Sequence, residues 1–222
     1  MKNVFGFVIG LVTCSLLSCQ DSKEELKTTP PDISHLKTVG MKIPAEAAVS
    51  WIEAHNERNK SARLDGLLYS VNAAELQLLI SSVDELVGVA FQYGLDENGV
   101  KHIIAIPVDQ SLTLWAPISG RIYIDANTST EISQSTAHAW ALNYQSANPT
   151  EIWFHYFGGN IFDEIVSVSD FVGLNIVPAL NILNLTPQLL LIVGNTESIL
   201  GRVGTETSVY DASYPCPKCA VH

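Results

Sequence analysis

From Ile122 to Gly201 the chain contains neither lysine nor arginine. A stretch without cations has nothing to hold a phosphate or another anion, so anion recognition by that half is not expected. Over all 222 residues, 12 basic side chains stand against 23 acidic ones, a formal net charge of −11. No basic patch exists to meet a nucleic-acid backbone, and nucleic acid is excluded as a partner. Also lacking are a Gly-x-Ser-x-Gly elbow, a phosphate loop, a dinucleotide fingerprint and a His-Glu-x-x-His helix. Two carboxylate pairs occur, Asp84-Glu85 and Asp163-Glu164, but neighbours on a helix point apart and do not form a dyad. No cofactor is expected, and the balance leans away from an enzyme. Cysteine is scarce as well: four in the whole chain.

What is present begins at the amino end. Lys2 precedes an apolar stretch from Val4 to Leu17. That stretch has the length of a signal peptide and is short for a hydrocarbon core of about 30 Å. It closes on Leu16-Leu17-Ser18-Cys19, which resembles a bacterial lipobox. The resemblance implies cleavage before Cys19, lipidation of its thiol and acylation of the new amino end. Residues 1–18 are then a lipoprotein signal, and the membrane is a partner through the anchor. Their loss removes only Lys2, leaving 11 basic against 23 acidic side chains, or −12. The following Gln20-Asp21-Ser22-Lys23-Glu24-Glu25 resembles an export tag for the outer face of a Gram-negative outer membrane, and reads equally as a solvated tether. The expected location is the cell envelope, anchored to the outer membrane on its periplasmic or surface face. Residues 19–42 read as a polar linker around Pro30-Pro31, averaging about 25–30 Å end to end as a coil.

Beyond the linker the chain repeats itself. Ile43, Ala48, Trp51, His55 and Asn59 align with Ile132, Ala137, Trp140, Tyr144 and Asn148. Leu76, Ile80, Ser82 and Gly88 align with Ile161, Ile165, Ser167 and Gly173. "HIIAIPVD" then matches "LLLIVGNT", and "RIYIDAN" matches "SVYDAS". Four blocks in one order are the mark of a duplication.

Each copy reads as α+β. The first block is a helix, with Pro44 suited to a first turn and Ser133 or Ser135 to a cap. A shorter helix follows, then a strand through Val87, Val89, Phe91 and Tyr93. Asn98-Gly99 predicts a hairpin turn, and "HIIAIPV" predicts a strand covered on both faces. In the second copy, "VGLNIVPALNILNLTPQLLLIVG" reads as two buried strands around a loop, any exposed part marking a partner surface. A unit of some 80 residues is marginal alone. The expectation is two tandem modules, 43–127 and 128–213, each of two helices with an antiparallel hairpin or small sheet, packed as a pseudo-dimer. Trp51 and Trp140 are expected in its core, and His155, in "WFHYFGGN", is expected half-buried.

The tail, 214–222, carries Cys216, Cys219 and the terminal His222. Cys14 leaves with the signal and Cys19 takes lipid, so Cys216 and Cys219 are the remaining pair in an oxidising compartment. Three uses are open. A local disulfide would close a small loop with a modest effect on stability. A redox centre would want a helix N-terminus to lower a thiol pKa. A zinc or copper site from Cys216, Cys219 and His222 would lack a fourth ligand from the tail. The whole resembles bacterial secreted proteins and lipoproteins that close on a Pro-Cys-Pro-x-x-Cys-like tail after an α+β module, a resemblance that implies no particular activity. The expected function is a lipid-anchored, non-enzymatic binding or interaction module. The alternative is a thiol-redox or metal-binding protein using the tail.

Overall fold

A computed structural model of the chain describes residues 32–59, 69–194 and 207–211, and the backbone of 214–216. Local signals set most element ends. A one-turn helix α1 (Ser34–Lys37) and a short strand β1 (Met41–Ile43) lead to Pro44, whose fixed φ of −60° starts helix α2 (Ala45–Arg58). Strand β2 (Tyr69–Asn72) ends at a cap: the Asn72 side chain accepts from Glu75 N at 2.9 Å to begin helix α3 (Ala73–Ser81). Strands β3 (Gly88–Leu95) and β4 (Lys101–Val108) form a hairpin whose turn places Gly99 at φ +78°. Short strands β5 (Tyr123–Asp125) and β6 (Thr130–Ile132) follow. Helix α4 (Gln134–Ala147) is capped by Ser133, which accepts from Thr136 N at 3.1 Å. Strand β7 (Phe154–Gly158) runs straight into helix α5 (Gly159–Val166). The hairpin β8 (Gly173–Asn181) and β9 (Thr186–Val193), then β10 (Ser208–Asp211) and β11 (Tyr214–Cys216), complete the chain.

The strands form two antiparallel sheets, ordered β1-β10-β9-β8-β2 and β11-β7-β3-β4-β5-β6. Alternation along each central strand sends side chains to two different cores. Val89, Phe91 and Ile103 of one sheet meet Leu174, Ile176, Leu189 and Leu191 of the other, and Leu76 and Leu79 of α3 with Ile161, Phe162 and Ile165 of α5 fill the same cluster. Phe91 meets the edge of Phe157 at 5.7 Å. On the outer face of the second sheet, α4 lays Ala137 and Trp140 over Ala90, Ile104 and Ile106. On the outer face of the first, α2 lays Ala48, Trp51 and Ile52 over Ala179, Leu190, Ile192 and Val209. The layers run helix, sheet, sheet, helix, and the fold is α+β.

The chain distributes itself between the sheets in an unexpected way. Each sheet takes strands from both halves: β1 and β2 flank β8, β9 and β10, while β6 and β7 flank β3, β4 and β5. Neither half keeps its strands in one sheet: consecutive strands pair as β3-β4-β5-β6 and β8-β9-β10, but β1 joins β10, β2 joins β8 and β7 joins β3. The fold also starts earlier than the linker reading placed it, since α1 and β1 lie within 19–42. At the other end, β11 takes residues 214–216 of the tail into the second sheet as an edge beside β7. All described residues belong to one compact unit, Asp32–His222.

Gly88 shows how closely the pieces fit. A methyl there would lie 2.2 Å from Phe157 O and 2.3 Å from Tyr156 Oη, whereas one on Gly99 would meet nothing within 4 Å. Gly88→Ala is expected to lower unfolding stability by roughly 3 kcal/mol or more through overpacking. Gly99→Ala should cost only about 1 kcal/mol for its left-handed backbone. Paired denaturant titrations of the two variants check this.

Candidate functional site

No catalytic constellation is visible along the chain, but the sheets bring a polar cluster together. His102 on β4 and Asp125 on β5 share the outer face beneath α4. Both carboxylate oxygens of Asp125 lie 3.1 Å from His102 Nδ1. Asp125 also accepts from Asn127 N at 3.0 Å and from the Thr128 hydroxyl at 3.2 Å. On the other side of the ring, Asp96 Oδ2 is 3.8 Å from His102 Nε2. Asp96 accepts from Val100 N and Asn98 N, and the Val100 bond foremost holds its carboxyl below the usual range. Trp140 stacks on the imidazole with centroids 4.1 Å apart. The site is thus a histidine between two carboxylates under an indole lid, with His102 only 9 % exposed.

Its chemistry is limited by what surrounds it. A nucleophile–base–carboxylate relay needs a hydroxyl or thiol bonded to the free ring nitrogen. His102 Nε2 makes no hydrogen bond. The His102–Asp125 bond ties β4 to β5, and among the described residues no hydroxyl or thiol is bonded to the other ring nitrogen. Among the described residues no group of three His, Cys, Asp or Glu side chains is placed to hold a metal.

The other sheet carries a counterpart. Asp125 lies opposite Ile104, two residues beyond His102, and Asp211 lies opposite Leu190, two residues beyond Gln188. The same diagonal that joins His102 to Asp125 therefore sets Gln188 beside Asp211, with Trp51 of α2 in the overlying cluster. Here a neutral amide stands in place of the imidazole. Gln188 Oε1 and Asp211 Oδ1 are buried without a hydrogen-bond partner, and burial pushes the Asp211 carboxyl up to about 6.

A polar cleft of about 300 Å³ is lined by Ser82, Asp84, Glu85, Asp109, Gln110 and Ser111, among others. Most of its charge is already engaged. Glu85 takes Lys37 and Gln110, and Asp109 lies 3.2 Å from Arg121 Nη2. Arg121 itself is buried and donates from Nη1 to Thr113 O at 2.6 Å, tying down the connection between β4 and β5.

Of the residues singled out from sequence, Cys19, Cys219 and His222 lie outside the described residues. Cys216 is the last residue of β11, its backbone opposite Phe154. Trp51 is buried, and Trp140 is partly buried against its cluster. His155 departs from expectation: it is 0 % exposed, inside β7 and not at a strand edge. Neither ring nitrogen has a partner, and desolvation pushes its pKa down to about 3. The reason is register, since β3 and β11 pair with β7 on both sides and leave it no edge. The His102–Asp125 pair was missed because its partners stand 23 positions apart on different strands; the matched Asp125 and Asp211 of the repeat were the one signal for it.

Comparison with known proteins found no match: no family model, no curated protein and no solved structure aligns with the chain.

Two buried groups give opposite pH slopes. His155 binds its proton less well folded than unfolded, so its contribution is present above about pH 6.5 and is lost as pH falls toward 3. His155→Phe, which sacrifices no hydrogen bond, is expected to stabilise the fold at pH 4.5 by about 2–3 kcal/mol relative to its effect at pH 7.5. Asp211 binds its proton better folded than unfolded, so it lowers stability as pH rises from about 4 to 6. Asp211→Asn should remove that decline, on the order of 2 kcal/mol. Urea melts across pH 4–8 measure both; parallel curves for wild type and either variant would contradict the corresponding assignment.

Proposed function

We propose that the chain is a lipid-anchored protein of the bacterial cell envelope and acts there as a non-enzymatic binding module. The observation that carries this reading is the Leu16-Leu17-Ser18-Cys19 sequence, placed directly after an apolar stretch of signal length and before a polar tether. The outer membrane is the proposed site of anchoring. No described helix is long and apolar enough to cross a membrane, so in this reading attachment falls to the acyl chains.

The module is proposed to be a duplication whose copies exchange strands. Support comes from the order of elements. Strand, helix, strand, helix and three strands run from β1 to β5, and the same series runs from β6 to β10. If each strand of β1-β10-β9-β8-β2 is replaced by its counterpart in the other series, the order becomes β6-β5-β4-β3-β7. The matched diagonals of His102–Asp125 and Gln188–Asp211 support the same reading.

In the tail, a disulfide between Cys216 and Cys219 is the proposed state. Cys216 is the last residue of strand β11, and a strand supplies none of the helix dipole that activates a redox thiol. The competing metal-binding reading of Cys216, Cys219 and His222 predicts tightly held zinc or copper.

Metabolic labelling with an alkyne fatty acid, followed by mass spectrometry of the amino-terminal peptide, tests the anchor. Acylated Cys19 is the expected product, and Cys19→Ser should abolish label and membrane retention. An unmodified Cys19 in protein recovered from the cytoplasm would sink the reading. Thiol titration of the lipidated protein should find no free thiol before reduction.

A further inference from the structure

The turn between β8 and β9 exposes three large aliphatic side chains within four residues. Ile182 is 49 %, Leu183 85 % and Leu185 65 % exposed. The turn is nevertheless ordered: Leu183 N donates to Asn181 Oδ1, Thr186 N to Asn184 Oδ1 and Leu185 N to Asn181 O, at 2.8–3.0 Å. Leu185 is held at φ +58°, a left-handed conformation that glycine occupies without penalty. The β3–β4 turn has a polar tip and one exposed apolar residue, Val100, at 44 %. There the sequence is Asp96-Glu97-Asn98-Gly99-Val100, with glycine at positive φ. Leucine at 183 and 185 is therefore not a demand of the turn. Three aliphatic side chains on a rigid knob need an apolar receiver.

The composition around the knob indicates which receiver. From Phe171 to Thr196 there is no ionisable side chain at all. Protein interfaces are anchored by Trp, Tyr and Arg, with directional polar contacts around them. This turn has none of the three, and both asparagine carbonyl oxygens are spent inside it. A charge-free aliphatic knob matches a solvent without directional demands, the hydrocarbon edge of a bilayer.

We propose that residues 182–185 are a second, non-covalent membrane contact, in which Ile182, Leu183 and Leu185 enter the interface of a zwitterionic bilayer. The proposal rests on the lipid-anchored reading, because the anchor is what keeps the knob near a membrane. Thirteen positions separate Cys19 from Asp32. A coil of that length averages about 20 Å, which corresponds to an effective concentration in the millimolar range. The knob then needs little intrinsic affinity. With no lysine or arginine between Ile122 and Gly201, the knob's own segment brings no cation to anionic lipid.

The test places a nitroxide on Leu183→Cys in the lipidated full chain, with Cys216→Ser and Cys219→Ser removing other thiols. The protein is reconstituted in vesicles of phosphatidylcholine and phosphatidylethanolamine. The label is expected to collide more with oxygen than with a water-soluble nickel chelate, and a label on Asn98→Cys to do the reverse. Leu185→Glu should shift the Leu183→Cys label toward water by about tenfold in that ratio. Leu185→Gly, which relaxes the backbone and keeps the fold, should give a smaller shift in the same direction.

A label that stays aqueous while Cys19 carries lipid overturns the knob proposal and leaves the anchor standing. A label buried without vesicles, in a protein that self-associates or holds a second protein, overturns it in favour of a protein receiver. If Cys19 carries no lipid, flotation of the unlipidated chain with the same vesicles decides separately. Flotation lost in Leu183→Glu/Leu185→Glu supports the knob while the anchor reading fails, and absence of flotation overturns both.

Discussion

One central core, filled from both sheets and from two short helices, is the constraint on which the architecture depends. Phe91, Phe157 and Phe162 meet there with the aliphatic faces of β3, β4, β8 and β9. A half-length chain would leave one wall of that core facing water. Fully burying one such side chain contributes about 1.5–3 kcal/mol, so losing a wall of them exceeds the stability a domain of this size has to spare. The outer helices answer the complementary need: each sheet has a second apolar face, and α2 and α4 cover it. The close fit at Gly88, where even a methyl collides with backbone, follows from how tightly the layers are pressed together.

Within that frame, polar groups are distributed unevenly. Beneath α4, His102 is bonded to Asp125 through Nδ1 and faces Asp96 across 3.8 Å at Nε2, with Trp140 stacked over the ring. Beneath α2, Gln188 and Asp211 occupy the matching diagonal without a bond to complete it. Burial penalises the charged form of Asp211 and raises its pKa to about 6. His155 is a third case, a titratable ring sealed in the interior with no partner on either nitrogen. Burying His155 and Asp211 with unsatisfied polar atoms and shifted pKa values ties the stability of the fold to the acidity of its surroundings.

Much of this was legible in the sequence. Apolar spacing located helices α2 to α5 and the hairpins β3–β4 and β8–β9, because repeats of three and four, or of two, are set by local geometry. Ser133, Pro44 and Asn98-Gly99 marked caps and a turn for the same reason. What could not be read was pairing across distance. That β1 joins β10 while β2 joins β8 depends on how two layers meet in space, and nothing in the flanking residues encodes it. The same blindness hid the His102–Asp125 pair, and it made His155 look half-buried, since the strand that seals its open side arrives 60 positions later. The linker was read too long because "MKI" is too short and too polar to announce a strand until β10 is there to receive it.

The pairing of Met41 with Asp211 has a consequence for the order of events in the cell. Strand β1 finds its neighbour only once the chain has been delivered as far as Asp211, 170 positions beyond Met41. Contacts of such separation form late and slowly. A chain threaded through a membrane from its front end would therefore emerge pliable, and could set into shape only on the far side, after its last strands have crossed.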